Sequence, residues 1–466
     1  MHHINTTNRI SKKDLIMKII FISPQVNPFM TTGGLGDYVD GLTNSLSSNS
    51  NINIKVIMPF YKNINLKFYK KIGEFNIKNS NIDSKISYFT VFFKKIKNIE
   101  YFFISNDYCF NHENVYGYDD VFRFTFFLKA TLDLIDEMSW EVDILHLNDS
   151  FTALTPILLK YNDYKWSAKT LLTIHNLLYQ SELNDEIKKN ISCFFESKYY
   201  IKENSCLENG IKYSDCITTV SSNYAKEITT TELGYNLKDL LNEKKVIGIC
   251  NGLNYKRHPK ISNDFKCFLE KKKKEKANIQ KKYGLEINNK PLMTYISRLC
   301  EEKGTELLYD NIEEIIKDNQ LILLGVGDKK YENKFKKINK KYSNFKAIME
   351  FNSKIAEELY RASDIFLMPS SFEPCGTSQL IALNHGTIPI VHNTGGLKET
   401  VHDGINGFKF YEYNKNAFLK TVKKAIKTYN TEKWEKLIYN SFNVDYSWDK
   451  QSKKYMEVYN KLLRCK

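Results

Sequence analysis

Residues 363–383 read SDIFLMPSSFEPCGTSQLIAL, and residues 386–401 follow as GTIPIVHNTGGLKETV. Each stretch holds an apolar run of strand length, a loop of Pro, Ser, Gly and polar residues, and the start of a helical pattern. Two such units in succession predict a parallel sheet with right-handed crossovers. The same rhythm runs back to Pro291 through PLMTYIS, NQLILLGVG and FKAIMEF, with helical stretches between them. A polar, Lys-rich stretch over 254–290, helical in composition, precedes it. Before that lies a first series: MKIIFIS from Met17, IKVIMP ending at Pro59, DILHL from Asp143, KTLLTIH from Lys169, and Ser214 to Val220. Alternation of apolar and polar residues between about 73 and 105 predicts antiparallel strands inserted in this first series. A helix is expected over 121–139. Residues 413–464 read as all-helical. The chain is therefore expected to be α/β, with two doubly wound domains.

The 466 residues are 42% hydrophobic and 26% charged, which suits a large packed core and excludes a disordered polyelectrolyte. No apolar run approaches the roughly 18 residues of a membrane span. The net charge is +14. Lysines are spread along the chain without interleaved aromatics, so they read as solvated surface rather than a nucleic-acid footprint. A smaller share of them can attract an anionic substrate. Nine cysteines lack paired spacing and any CxxC, so a disulfide framework and a zinc ribbon are both unexpected. Free thiols in a reducing, cytoplasmic setting fit best. Residues 1–16 lack the apolar core of a secretory signal. They read as an extension before a structural start at Met17, with a plastid transit remnant as the other reading.

In open α/β sheets, ligands bind outside the carboxyl ends of the strands. Five loops there carry chemistry. Gly33-Gly34-Leu35-Gly36-Asp37 lets backbone approach an anion but lacks the Walker and dinucleotide spacings. Arg298 and Lys303 bracket a helix start, as a diphosphate site needs. Glu373 stands between Phe372 and Pro374-Cys375-Gly376, where a carboxylate can accept from sugar hydroxyls. Cys375 lies near a helix start, which favours a lowered pKa, although packing suits it better than a nucleophile's role. Thr394-Gly395-Gly396 offers a second anion cradle. His175 closes a buried strand, where a ligand contact competes with a structural role.

Taken together, these loops resemble the bacterial glycogen synthases and plant starch synthases, retaining glucosyltransferases of GT-B fold. The match runs from about Met17 to the C-terminus. Its landmarks include TTGGLGDYVDGL, ILHLNDSFTALTP, ITTVSSNYAKEI, GICNGLN, YISRLCEEKG and the FEPCG–TGGL block. The resemblance implies two Rossmann-like domains facing a central cleft. It implies an acceptor domain over 17–252, a linker over 253–290, a nucleotide-sugar domain over 291–435, and C-terminal helices over 436–466 packing back on the first domain. By position, Arg298 and Lys303 match the pair that neutralises the diphosphate. Glu373, Cys375 and Gly376 match the segment around the donor glucose, and Thr394, Gly395 and Gly396 match the phosphate-binding turn. Asn251 matches a donor-site residue. Gly34 and Asp37 match the loop that closes over the donor, and Phe351 matches an aromatic ring against the base.

The implied reaction transfers glucose from ADP-glucose to the non-reducing 4-hydroxyl of an α-1,4-glucan, with front-face departure of the diphosphate. No metal or cofactor is called for, and neither nucleic acid nor membrane is expected as a partner. Three positions depart from the family pattern. Thr31 stands for the usual Lys of the Gly-Gly loop. Asp149-Ser150-Phe151 stands where Asp-Trp-His is usual. His392 stands for an Arg. These departures keep two further readings open: a catalytically weak homologue that binds nucleotide sugar or glucan, and a synthase that prefers UDP-glucose.

Overall fold

A computed structural model describes residues 16–78, 82–195, 201–255 and 264–464. The reading of the first residues as an extension or transit remnant lies outside the described residues, as does Cys465. Two compact units are present. Among the described residues the first runs to Ile217 and resumes at Tyr455; the second spans Thr218–Lys454.

The first sheet holds β1 (Met17–Ile22), β2 (Ile52–Pro59), β3 (Lys70–Asn76), β4 (Tyr88–Ile96), β5 (Ile99–Ser105), β6 (Ile144–Asn148), β7 (Lys169–Ile174), β8 (Cys216–Thr219) and β9 (Ile247–Gly248). Their order is β3-β4-β5-β2-β1-β6-β7-β8-β9. β3, β4 and β5 form the antiparallel insert that the alternation predicts. From β5 through β2, β1 and β6 to β7 all pairings are parallel. The boundary between the units falls within β8. The second sheet holds β10 (Leu292–Ile296), β11 (Gln320–Leu324), β12 (Phe345–Ile348), β13 (Ile365–Met368), β14 (Ile388–His392) and β15 (Phe408–Phe410), all parallel, in the order β12-β11-β10-β13-β14-β15.

In the second sheet, alternate residues of β10 and β11 enter two separate buried clusters with helices on opposite faces, which is why those strands are continuously apolar rather than alternating. Tyr295, Leu308, Leu323, Leu367, Ile390 and Phe408 belong to one buried cluster of the second unit. Burying each such side chain contributes about 1.5–3 kcal/mol. In doubly wound sheets the strand order reverses at one point, and ligands bind in the crevice there. Here that point lies between β1 and β6 in the first sheet and between β10 and β13 in the second.

Two polar networks are buried under this frame. In the first unit, His146 on β6 bonds Thr173 Oγ1 through Nε2 at 2.7 Å and Tyr459 through Nδ1 at 2.7 Å, and Tyr38 donates to Tyr455 at 2.8 Å. Burial holds the His146 imidazole far below its ordinary pKa, so it stays neutral. In the second unit, Lys272 sits on the helix Phe265–Lys282. Its ammonium group donates to the carbonyls of Arg361 (3.1 Å) and His385 (3.0 Å) and to Thr387 Oγ1 (2.8 Å).

Burial brings the Lys272 pKa down to about 7. Lys272→Met orphans two carbonyls, each worth about 1–3 kcal/mol, but also removes a desolvated charge. We expect a net loss of about 2 kcal/mol at pH 7 in urea denaturation. The unfolded lysine titrates near 10.5, so the unfolded chain binds more protons between the two values. Wild-type stability therefore rises with pH above 7, and the deficit of the variant widens toward pH 9.

Candidate active site

The loop after β10 and the loop after β13 flank the second sheet's switch point. After Ser297-Arg298-Leu299 the chain makes one 3₁₀ turn, Glu301–Lys303, and reverses at Gly304 before the helix Thr305–Ile316. Gly304 has φ +71°, and a Cβ there would lie 2.0 Å from the Pro369 carbonyl oxygen. Only glycine lets the two loops pack so closely. The result brings together two residues 70 positions apart: Lys303 Nζ donates to Glu373 Oε2 at 2.7 Å. Burial lowers the Lys303 pKa, but the adjacent Glu373 carboxylate outweighs it, and the ammonium group stays charged. Ser370 Oγ donates to the same carboxylate oxygen at 3.3 Å. Arg298 lies more open and pairs with Glu302 across one turn.

Around Glu373 the backbone is held from several sides. Gly376 turns the chain at φ +73°, and Gln379 Nε2 donates to the carbonyls of Cys375 and Gly376, both at 3.0 Å. Cys375 Sγ lies 3.7 Å from Cys250 Sγ and accepts the Asn251 N–H at 3.4 Å. The expectation of a lowered Cys375 pKa is corrected: the Cys250 thiol and burial both push it well above the ordinary value. The helix start is outweighed because the thiol faces a second thiol and no solvent. Asn251 is buried, and its side-chain Oδ1 has no hydrogen-bond partner.

Thr394, Gly395 and Gly396 pack flush on this segment. A Cβ on Gly395 would lie 2.0 Å from the Glu373 carbonyl oxygen. The Gly396 N–H donates to the Glu373 and Pro374 carbonyls, at 3.1 and 3.2 Å. His392 stacks on Phe410 and lies against Tyr413, with burial lowering its pKa. Phe351, just beyond β12, presents an almost fully exposed ring, 87% accessible.

In the first unit the switch point is flanked by the glycine loop after β1 and by residues 149–152 after β6. The helix Gly34–Leu46 begins inside the glycine loop. Thr31 Oγ1 donates to the Gly33 carbonyl at 2.8 Å, so the residue in the usual Lys position closes the loop on itself. Asp37 accepts from Asn27 Nδ2 at 2.6 Å. Gln25 Oε1 accepts the Thr32 N–H at 2.6 Å, and its Nε2 donates to Tyr116. Phe151 stacks on both Tyr116 and Phe124, with ring centroids 5.4 and 4.6 Å apart.

His175 packs edge-on against Tyr38, and burial pushes its pKa down to about 3. Its Nε2 lies 3.2 Å from Asn148 Oδ1, while Asn148 Nδ2 donates to the Ile22 carbonyl. An amide oxygen only accepts, which places the imidazole proton on Nε2.

Sequence reasoning passed over Asp149, which the structure singles out. It has φ +61°, uncommon for a non-glycine residue, at the carboxyl end of β6. Its Oδ1 accepts the N–H groups of His175 (2.8 Å) and Asn176 (3.4 Å). Burial pushes the carboxyl up to about 7, and those two N–H groups pull it partly back. The signal was its place directly after a strand at a switch point, read only as part of a departure at Phe151.

Two Rossmann-type sheets carry polar, glycine-punctuated loops at their switch points, where ligands bind in such folds. Residues 18–243 match the starch synthase catalytic domain, and residues 276–444 match the glycosyl transferases of group 1. The chain is 36% identical to a glycogen synthase of Clostridium botulinum (strain Alaska E43 / Type E3), covering 96% of this chain and 99% of that one. It is also 36% identical to a glycogen synthase of Fusobacterium nucleatum, with 96% and 100% covered. The catalytic domain of starch synthase IV from Arabidopsis thaliana, bound to ADP and acarbose, superposes with a TM-score of 0.84 at 26% identity, covering 96% of this chain and 99% of that one. The chain belongs to the glycogen and starch synthase family. The expected fold class and family both hold.

Proposed function

We propose that the protein transfers glucose from ADP-glucose to the non-reducing 4-hydroxyl of an α-1,4-glucan, with retention of configuration, as a cytoplasmic enzyme. The observation that carries the reading is the ion pair at the second switch point between half-buried Lys303 and buried Glu373, with Arg298 on the same loop as Lys303. The backbone of Asn251, whose Oδ1 is unpartnered, meets Cys375 two residues on from Glu373. A diphosphate leaving group develops negative charge as the glycosidic bond breaks. Arg298 and Lys303 supply fixed positive charge to it, with no reorganisation at the moment of reaction. Glu373 keeps Lys303 charged and presents its carboxylate to sugar hydroxyls. Asn251 Oδ1 accepts from another hydroxyl. Gly376 and the 394–396 turn shape the floor of the donor pocket, and Phe351 stacks on the base. In the first unit, Gly34, Asp37 and neutral His175 contact the substrates.

The second reading, a catalytically weak homologue, draws on Thr31 and on Phe151 in its aromatic stack. Purified protein given ADP-[14C]glucose or UDP-glucose with glycogen decides between them. We expect polymer labelling from ADP-glucose in excess of UDP-glucose. No labelling from either donor, with activity appearing in Thr31→Lys/Phe151→His, establishes the weak homologue instead.

A further inference from the structure

The helix Ser222–Thr230 holds no residue with an assigned role, yet it meets the segment 373–376 and the turn 394–399 at several polar points. Its N-cap residue Ser221 donates through Oγ to the Pro374 carbonyl at 2.6 Å. The Asn223 N–H donates to Glu399 Oε1 at 2.6 Å. Tyr224 packs edge-on against Phe372. The strongest contact is Glu227. Its carboxylate is about nine-tenths buried and accepts the Gly395 N–H through both oxygens, at 3.1 and 3.2 Å. The Lys398 ammonium group donates to its Oε1 at 2.7 Å.

These bonds form a chain of rigid links. The Thr394 N–H donates to the His392 carbonyl, the Leu397 N–H to the Thr394 carbonyl, and the Gly396 N–H to the Glu373 and Pro374 carbonyls. The turn therefore hangs on Glu227 on one side and carries the Glu373 backbone on the other. Gly395 has no side chain to absorb a shift, because a Cβ there would meet the Glu373 carbonyl. A carboxylate accepting a backbone N–H and an ammonium group makes charge-assisted bonds, roughly twice as strong as neutral ones. Such outer contacts set how precisely a reacting side chain is held.

We infer that Glu227 is a positioning residue for the transfer reaction: by gripping the Gly395 N–H and Lys398 it fixes the 394–396 turn, and through it the Glu373 carboxylate. The inference rests on the donor-site reading above. Misplacing a reacting group by about 1 Å costs on the order of 10²-fold in rate. Glu227→Ala is therefore expected to lower kcat about 10²-fold while KM for ADP-glucose stays within about threefold. Glu227→Gln keeps an oxygen for Gly395 and is expected to recover at least about tenfold of that loss.

Hydrogen–deuterium exchange supplies a readout that does not depend on turnover. Amides of 393–399 should exchange faster in Glu227→Ala and at the wild-type rate in Glu227→Gln. A folded Glu227→Ala enzyme with wild-type kcat overturns the inference. So does a Gln variant that loses as much activity as Ala. If Glu227→Ala does not fold, Glu227→Asp takes its place, since one methylene less withdraws the carboxylate from Gly395. It should lose about tenfold in kcat at unchanged melting temperature, and wild-type kcat there refutes the role. Wild-type protein that labels no glucan with any donor sinks the donor-site reading. The exchange of 393–399 then still decides whether Glu227 holds the turn.

Discussion

Lys303→Met is expected to lower kcat/KM for the nucleotide sugar by about 10²–10³-fold, the loss typical when one charge-stabilising group is removed from a transition state. Methionine keeps most of the length and apolar volume, so the change reads charge rather than packing. The same substitution strands Glu373, whose carboxylate is buried and loses its 2.7 Å partner. Removing one member of a buried pair is destabilising by up to about 3–5 kcal/mol, and the part-open lysine places this case toward the lower end. Thermal stability should therefore fall together with activity. Lys303→Met/Glu373→Gln separates the two effects, because a neutral amide in place of the carboxylate needs no counter-charge. The double variant should recover melting temperature and no activity. Steady-state kinetics and thermal denaturation on the three proteins check this. Recovery of kcat/KM in the double variant would show that Lys303 acts on Glu373 alone and never on the leaving group.

The frame of this molecule was legible because parallel strands under helices are apolar along their whole length. Met17–Ile22, Ile144–Asn148, Leu292–Ile296 and Ile365–Met368 all lie within runs that stand out from polar surroundings. Loops at strand ends could be read for the same reason, since glycine is needed where backbones nearly touch. Gly304 and Gly395 are such places. β15 went unread: three residues, Phe408–Phe410, are too few to show a period, and their pairing with β14 is a tertiary fact.

The candidate site was legible residue by residue and not pair by pair. Nothing local says that Lys303 meets Glu373, or that Cys250 comes within 3.7 Å of Cys375. A thiol pKa reasoned from the nearest helix start missed a neighbour 125 positions away. Glu227 lies inside the stretch ITTVSSNYAKEI, yet its value comes from Gly395, 168 positions on. Asp149 is the case where a local signal existed. A residue directly after a buried strand at the point of strand reversal is where ligands bind.

That residue supports an expectation in which activity and stability move apart. Folded Asp149 releases its proton near pH 7, while an unfolded aspartate does so near 3.8. Between those values the folded protein holds a proton that the unfolded chain has lost. Stability therefore falls as pH rises across that window, and the charged form above pH 7 is the costly one. Asp149→Asn cannot ionise. Its amide oxygen still accepts the N–H groups of His175 and Asn176, and the variant should melt higher than wild type at pH 8 and about equally near pH 4. We propose that this charge serves the sugar: a carboxylate accepts a hydroxyl hydrogen bond more strongly than an amide and favours the oxocarbenium-like charge of glycosyl transfer. Wild-type kcat/KM should accordingly climb with a midpoint near pH 7. In Asp149→Asn that limb should vanish, leaving a flat profile about 10²-fold below the wild-type plateau. An asparagine variant that is less stable than wild type at pH 8, or that keeps the rising limb, would show that the φ +61° turn is held for packing alone.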